Sequence, residues 1–130
     1  MTRIKFPLVV LMVFGIALLA SRAEPPKKEE LMRRKLQHSQ KVLEGVAVGD
    51  FKMIEKNAEE LLEISKQISW KVLNTPAYEL HTNAFRRSAE TLVKNAREKN
   101  LDAAALTYVD LTLTCVKCHK HVRDERMTEE

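Results

Sequence analysis

From Lys28 onward, apolar residues return every three or four positions in four runs separated by short breaks. In the first, Met32, Leu36, Ser39, Leu43 and Val46 alternate spacings of four and three until Gly49 interrupts, which predicts a helix over roughly Lys28 to Val48. Asp50 is suited to accept hydrogen bonds from the free amides of a second helix, whose stripe is Phe51, Ile54, Ala58, Leu61, Ser65 and Ile68 and which ends before Asn74-Thr75-Pro76. A third helix starts between Pro76 and Thr82, carries Phe85, Ala89, Leu92 and Ala96 on one face, and closes at Glu98, Lys99 and Asn100. In the fourth, Leu101, Ala104, Tyr108, Leu111, Cys115, Cys118 and Val122 keep register, putting both cysteines on the inward stripe ahead of a charged tail from Arg123 to Glu130.

Four such segments with short connections predict an all-α, antiparallel up-down-up-down four-helix bundle. Composition agrees: the 130 residues include only 3 glycines and 4 prolines, too few turn formers for a many-stranded sheet. A core this small gains from a bound cofactor.

The first 23 residues read differently. Arg3 and Lys5 precede an apolar run from Phe6 to Ala20, and Ser21-Arg22-Ala23 supplies small residues at both cleavage-recognition positions. The run is too short for a membrane span of roughly 20 residues, so the expectation is a cleaved signal peptide over 1–23 rather than a retained anchor. That leaves one exported, periplasmic domain over 24–130 with no stable span. Cleavage removes 3 of the 22 Lys and Arg residues, leaving 19 against 18 Asp and Glu. The mature chain is then almost neutral, and without a basic stripe interleaved with aromatics it is not expected to bind nucleic acid.

The chemistry-bearing motif is Cys115-Val116-Lys117-Cys118-His119. On a helix, positions i, i+3 and i+4 share a face, so two thiols can form thioethers with the haem vinyl groups while the adjacent imidazole reaches the iron. One covalent haem c per chain is expected, with Cys115 and Cys118 attaching it and His119 as axial ligand. A redox-active disulfide is the first competing reading, but such pairs sit beside a strand, and no strand pattern is visible. A zinc site is the second, but His121 lies two residues on from His119 and points to the other side of the helix, as a solvated or haem-edge residue.

With these residues in hand the chain resembles the class II c-type cytochromes, comprising cytochrome c prime and its low-spin, methionine-ligated relatives. The resemblance rests on the exported four-helix pattern, the haem motif near the C-terminus, Gly49-Asp50-Phe51 at the first turn, and Arg123 four residues beyond the histidine. Val122 stands where that family commonly has an aromatic residue.

The motif reaches His119 about 18 residues into the last helix, about 27 Å by the helical rise, so the haem belongs at the bundle end that also holds the start of the first helix. Met32, Ile68, Trp70, Tyr78, His81 and Phe85 are the candidates for its wall. Of the methionines beyond the signal, Met53 begins the second helix at the far end, and Met127 follows His119 too closely to wrap around a porphyrin. Met32 is at the right level, and the resemblance to the low-spin relatives implies a ligating methionine at this place. Two alternatives stay open: Met32 packs over a five-coordinate haem, or His81 binds the iron. Arg33, Arg34, Arg86, Arg87 and Arg123 are candidates for the haem propionates. His38 is expected to face solvent.

The function expected is one-electron transfer outside the cytoplasm with a redox partner protein, the iron cycling between ferric and ferrous states under His119 and Met32. Saturated coordination leaves no open site for substrate chemistry, so no enzyme activity is expected. The alternative is a five-coordinate haem module that binds NO or CO. The chain is expected to be a monomer or homodimer, with no clear second apolar face in its stripes.

Overall fold

The computed structural model describes residues 27–128. The expected signal peptide, its cleavage site and the Pro25-Pro26 leader lie outside the described residues. Four helices follow in order: α1 (Lys28–Val48), α2 (Phe51–Ser65), α3 (Pro76–Arg97) and α4 (Leu101–Thr128), with a single 3-10 turn, η1 (Ile68–Trp70), between α2 and α3. Each helix packs on its neighbour in sequence, as an up-down bundle requires. Among the described residues no helix is long and apolar enough to cross a membrane.

The turns are set by local chemistry. Gly49 ends α1 with φ 72°, the left-handed region where a side chain is strained, and its amide bonds back to the last turn of the helix. Asp50 then caps α2, its carboxylate accepting from the Met53 amide at 3.0 Å. Gly45 brings these helices together, because a Cβ there would lie 2.9 Å from Ile54 Cγ1 and 3.1 Å from both Asp50 O and Ile54 N. Thr75 caps α3 by accepting from the Tyr78 amide at 3.1 Å, and Pro76 fills the first turn, where its missing N–H costs nothing. The α3–α4 turn has no glycine, and Lys99 takes the left-handed conformation with φ 54°.

The stripes of α3 and α4 stand as expected. Phe85, Ala89, Leu92 and Ala96 are buried, as are Ala104 and Leu111, while Leu101, Tyr108, Cys115, Cys118 and Val122 pack half-buried against the core. The stripe of α1 is displaced. Leu31, Lys35, Val42 and Gly45 are buried, whereas Leu36 and Leu43 are 59% and 49% exposed. The true face is read by neither side-chain polarity nor size, since it includes a lysine and a glycine.

Three further expectations are corrected. α2 ends at Ser65, not beside Asn74; Ile68 enters the separate turn η1 and is 88% exposed, so it belongs to neither the stripe nor a cofactor wall. The segment after Arg123 is the last turns of α4, an uninterrupted helix of 28 residues. A second apolar face does exist: Leu106, Val109, Leu113 and Val116 recur at spacings of three and four on α4, all exposed.

Polar side chains tie the layers. Asn95 Nδ2 donates to Thr107 Oγ1 at 3.0 Å, and Ser88 donates to Asp110, joining α3 to α4. Between α1 and α4 the ties are few. Ser39 Oγ approaches Tyr108 OH at 3.4 Å, and toward the Cys115 end no hydrogen bond joins the two helices among the described residues.

Candidate functional site

The starts of α1 and α3, the turn η1 and the later part of α4 come together at one end of the bundle. Between them lies a cavity of about 80 Å³. Met32 and Lys35 reach it from α1, Trp70 from η1, Tyr78 from α3, and Cys118, His119 and Val122 from α4. The positions i, i+3 and i+4 of α4 thus project Cys115, Cys118 and His119 toward one side of the helix. Both thiols are free and half-buried.

The wall is fixed by bonds among its aromatic residues. Trp70 Nε1 donates to Thr82 Oγ1 at 3.1 Å, its ring lies 5.1 Å from that of Phe85, and the Tyr78 hydroxyl donates to the Trp70 carbonyl. Burying an indole or a phenol is favourable only when its polar atom finds such a partner. These bonds hold η1 against α3 and present the ring faces to the cavity.

Electrostatics follow from partial burial. Burial lowers the pKa of His119, with Lys35 and Arg123 adding to the effect, so the imidazole favours the neutral form that carries a free lone pair. Burial raises the Cys118 thiol; Lys35 opposes that shift and Cys115 adds to it. Burial likewise raises the Tyr78 hydroxyl.

Of the residues singled out in the sequence, the fold brings Met32, Trp70, Tyr78, Cys118 and His119 to one cavity, with Phe85 buried just behind. Cys115 packs against the core beside it. Met53 lies at the start of α2, at the other end of the bundle, and Met127 is 68% exposed. His81 does not line the cavity: its ring lies 5.7 Å from that of His121. His121 is not solvated either, since its Nε2 is 2.9 Å from Thr75 Oγ1 and so ties α4 to the cap of α3. His38 does not face solvent; its Nδ1 is 2.9 Å from Oδ1 of the buried Asn57, across the α1–α2 seam. Arg86 is committed to Ser65, its Nε donating to Oγ at 3.0 Å and a terminal nitrogen to the carbonyl at 2.6 Å. A wider cleft of about 530 Å³ lies on the far side of Trp70, and no residue of the cysteine motif reaches it.

Lys35 is the residue that sequence reasoning passed over. It is only 7% exposed, and its Nζ stands 4.9 Å from the Trp70 ring centre and 4.8 Å from that of Phe85. No carboxylate pairs with it among the described residues. The two ring faces attract the charge. Lys35 Nζ is not fully enclosed, so it keeps some access to solvent and puts a positive charge on the α1 wall of the cavity. The only signal in the sequence is that Lys35 falls one turn beyond Met32 and Leu31.

The donor set here is two thiols, an imidazole and a thioether around aromatic and aliphatic walls, the soft and borderline ligands that suit haem iron and its vinyl groups. The cavity is smaller than a porphyrin, and α1 and α4, which flank it, contact each other far less than the helices adjacent in sequence do. No family model, no curated protein and no solved structure matches this chain, which the structure shows to be a four-helix domain carrying two cysteines three apart near its C-terminus.

Proposed function

We propose that this is an exported c-type cytochrome that carries one haem c and transfers single electrons to and from a redox partner protein. The observation that carries the reading is the meeting of Met32, from α1, with Cys118 and His119, from α4, at one cavity. The likeness of the motif and helix order to class II c-type cytochromes points the same way, and the methionine aligns the chain with the low-spin members.

Bound there, haem supplies a one-electron ferric–ferrous couple. The chain's own residues do the rest. The Cys115 and Cys118 thiols would hold the group covalently, so that it stays in place outside the cell's reducing interior. The His119 imidazole, biased toward its neutral form by partial burial, would offer its lone pair from α4, and the Met32 thioether would offer its sulfur from α1. Trp70, Tyr78 and Val122 would exclude water from the group's faces, which limits reorganisation when charge changes. With His119 and Met32 both given to the group, the chain would offer no further position to a substrate. Electron transfer is therefore favoured over catalysis, and the signal-like N-terminus suits a periplasmic location.

The test is to express the full chain with a c-type haem attachment system. Haem that resists acid-acetone extraction, with a low-spin ferric spectrum and a methionine-to-iron charge-transfer band, is the expected result. A chain that matures without haem defeats the proposal. A high-spin spectrum that shifts on adding NO or CO replaces it with the gas-binding reading.

A further inference from the structure

The Lys35 ammonium, on the wall of the cavity, has a use that the coordination scheme does not assign. We infer that Lys35 is the recognition site for a carboxylate of the cavity's occupant, which on the haem reading above is a porphyrin propionate. The inference rests on that reading for the identity of the carboxylate and on the geometry for the placing of the cation that would meet it.

Three observations carry it. Lys35 is a cation more than nine-tenths buried, and among the described residues it has no anionic partner. Its side chain lines the same cavity as Met32, Cys118 and His119, so a molecule held by those residues is within its reach. Its present contacts are two aromatic rings, which interact with an ammonium far less strongly than a carboxylate does in a dry site. The lysine stem is flexible, so Nζ can leave the rings for an oxygen without moving the helix.

The other basic residues fit this role less well. Arg86 is held by Ser65, and Arg33 stands 3.8 Å from Glu30 on the outer side of α1. Arg123 is exposed on α4. Lys28 also lines the cavity, from the first turn of α1, but it is less buried than Lys35, so water screens it more.

A propionate whose charge Lys35 neutralises stabilises the ferric state less than a free propionate would, so the pairing favours reduction. Losing the Lys35 charge leaves a negative group beside the iron and favours the oxidised form. In the one-electron reduction, ferric iron takes one electron from a mediator and no bond is made or broken.

The experiment is a redox titration of the haem-loaded full chain and of Lys35→Gln, Lys35→Met and Lys35→Arg. In the Gln and Met variants the ferrous-to-ferric ratio at a fixed ambient potential should fall about tenfold, a shift of about 59 mV, while the low-spin spectrum is retained. Lys35→Arg, which keeps the charge, should stay close to the parent. Failure of the Met variant to load haem while the Arg variant loads normally also supports the inference. Unchanged potentials in the Gln and Met variants overturn it, as does an Arg variant that behaves like Gln. If the parent chain binds no haem, the functional reading itself has failed; if it binds haem and only the lysine variants are silent, this inference alone has.

Discussion

Met32 and His119 stand on the first and last helices and line one cavity, although nearly the whole domain separates them in sequence. On the haem reading proposed above, that relationship makes the sixth ligand a single-residue question. Met32→Ala should convert the ferric spectrum of the loaded protein from low to high spin and abolish the charge-transfer band, with haem still covalently held by Cys115 and Cys118. An unchanged low-spin spectrum would move the ligand elsewhere.

The register of α1 is tested by two leucines. Leu31 is fully buried and Leu36 is 59% exposed. Leu31→Ala should cost about 2–5 kcal/mol in urea unfolding. Leu36→Ala should change stability by less than about 0.5 kcal/mol. The reverse order would restore the face read from apolar spacing.

Gly45 sits where α1 crosses the start of α2. Helix propensity alone favours Gly45→Ala by about 1 kcal/mol. The new methyl would meet Asp50 O and Ile54 N, each at 3.1 Å, and backbone atoms yield poorly. Overpacking of this kind costs about 1–3 kcal/mol, so the net effect should be destabilising, read as a lowered unfolding midpoint.

His38 and Asn57 form a polar link across the α1–α2 seam, and Asn57 Nδ2 also donates to the Met53 carbonyl at 2.8 Å. His38→Ala strands the buried Asn57 oxygen, at a cost of about 1–3 kcal/mol. The double variant with Asn57→Ala should lose less than the sum of the two single changes, which a double-mutant cycle measures.

Tyr78 gives the fold an alkaline limit. Burial raises its pKa above the ordinary 10.0, so the folded chain holds the phenol protonated where the unfolded chain has begun to ionise. Its contribution is complete below pH 10.0 and is lost as pH climbs through the raised value. Tyr78→Phe should lower stability at neutral pH, by losing the bond to the Trp70 carbonyl, and flatten the decline above pH 10.0.

Much of this was legible because it is local. The bounds of α1, the cap at Asp50 and the stripes of α3 and α4 follow from residue type at fixed offsets. The meeting of Met32 with His119 followed from counting helical rise along an up-down bundle. What escaped is set by partners distant in sequence. Lys35 is buried because Trp70 and Phe85 offer it ring faces, Gly45 because Ile54 needs the space, and His121 because Thr75 reaches across to it. Periodicity sorts residues by polarity, and each of these is placed by its neighbour instead.

The uneven helix contacts also bear on biogenesis. Since α1 pairs with α2, α2 with α3 and α3 with α4, most contacts join segments close in sequence, and the chain can fold quickly in the order in which it emerges. The α1–α4 seam, joined by Ser39 and Tyr108, spans the longest loop and has the greatest closure entropy to overcome, so it forms last. On the haem reading proposed above, that is the interval in which the Cys115 and Cys118 thiols would stand open to an attachment enzyme, so the weakest joint in the bundle would set the time available for completing the protein.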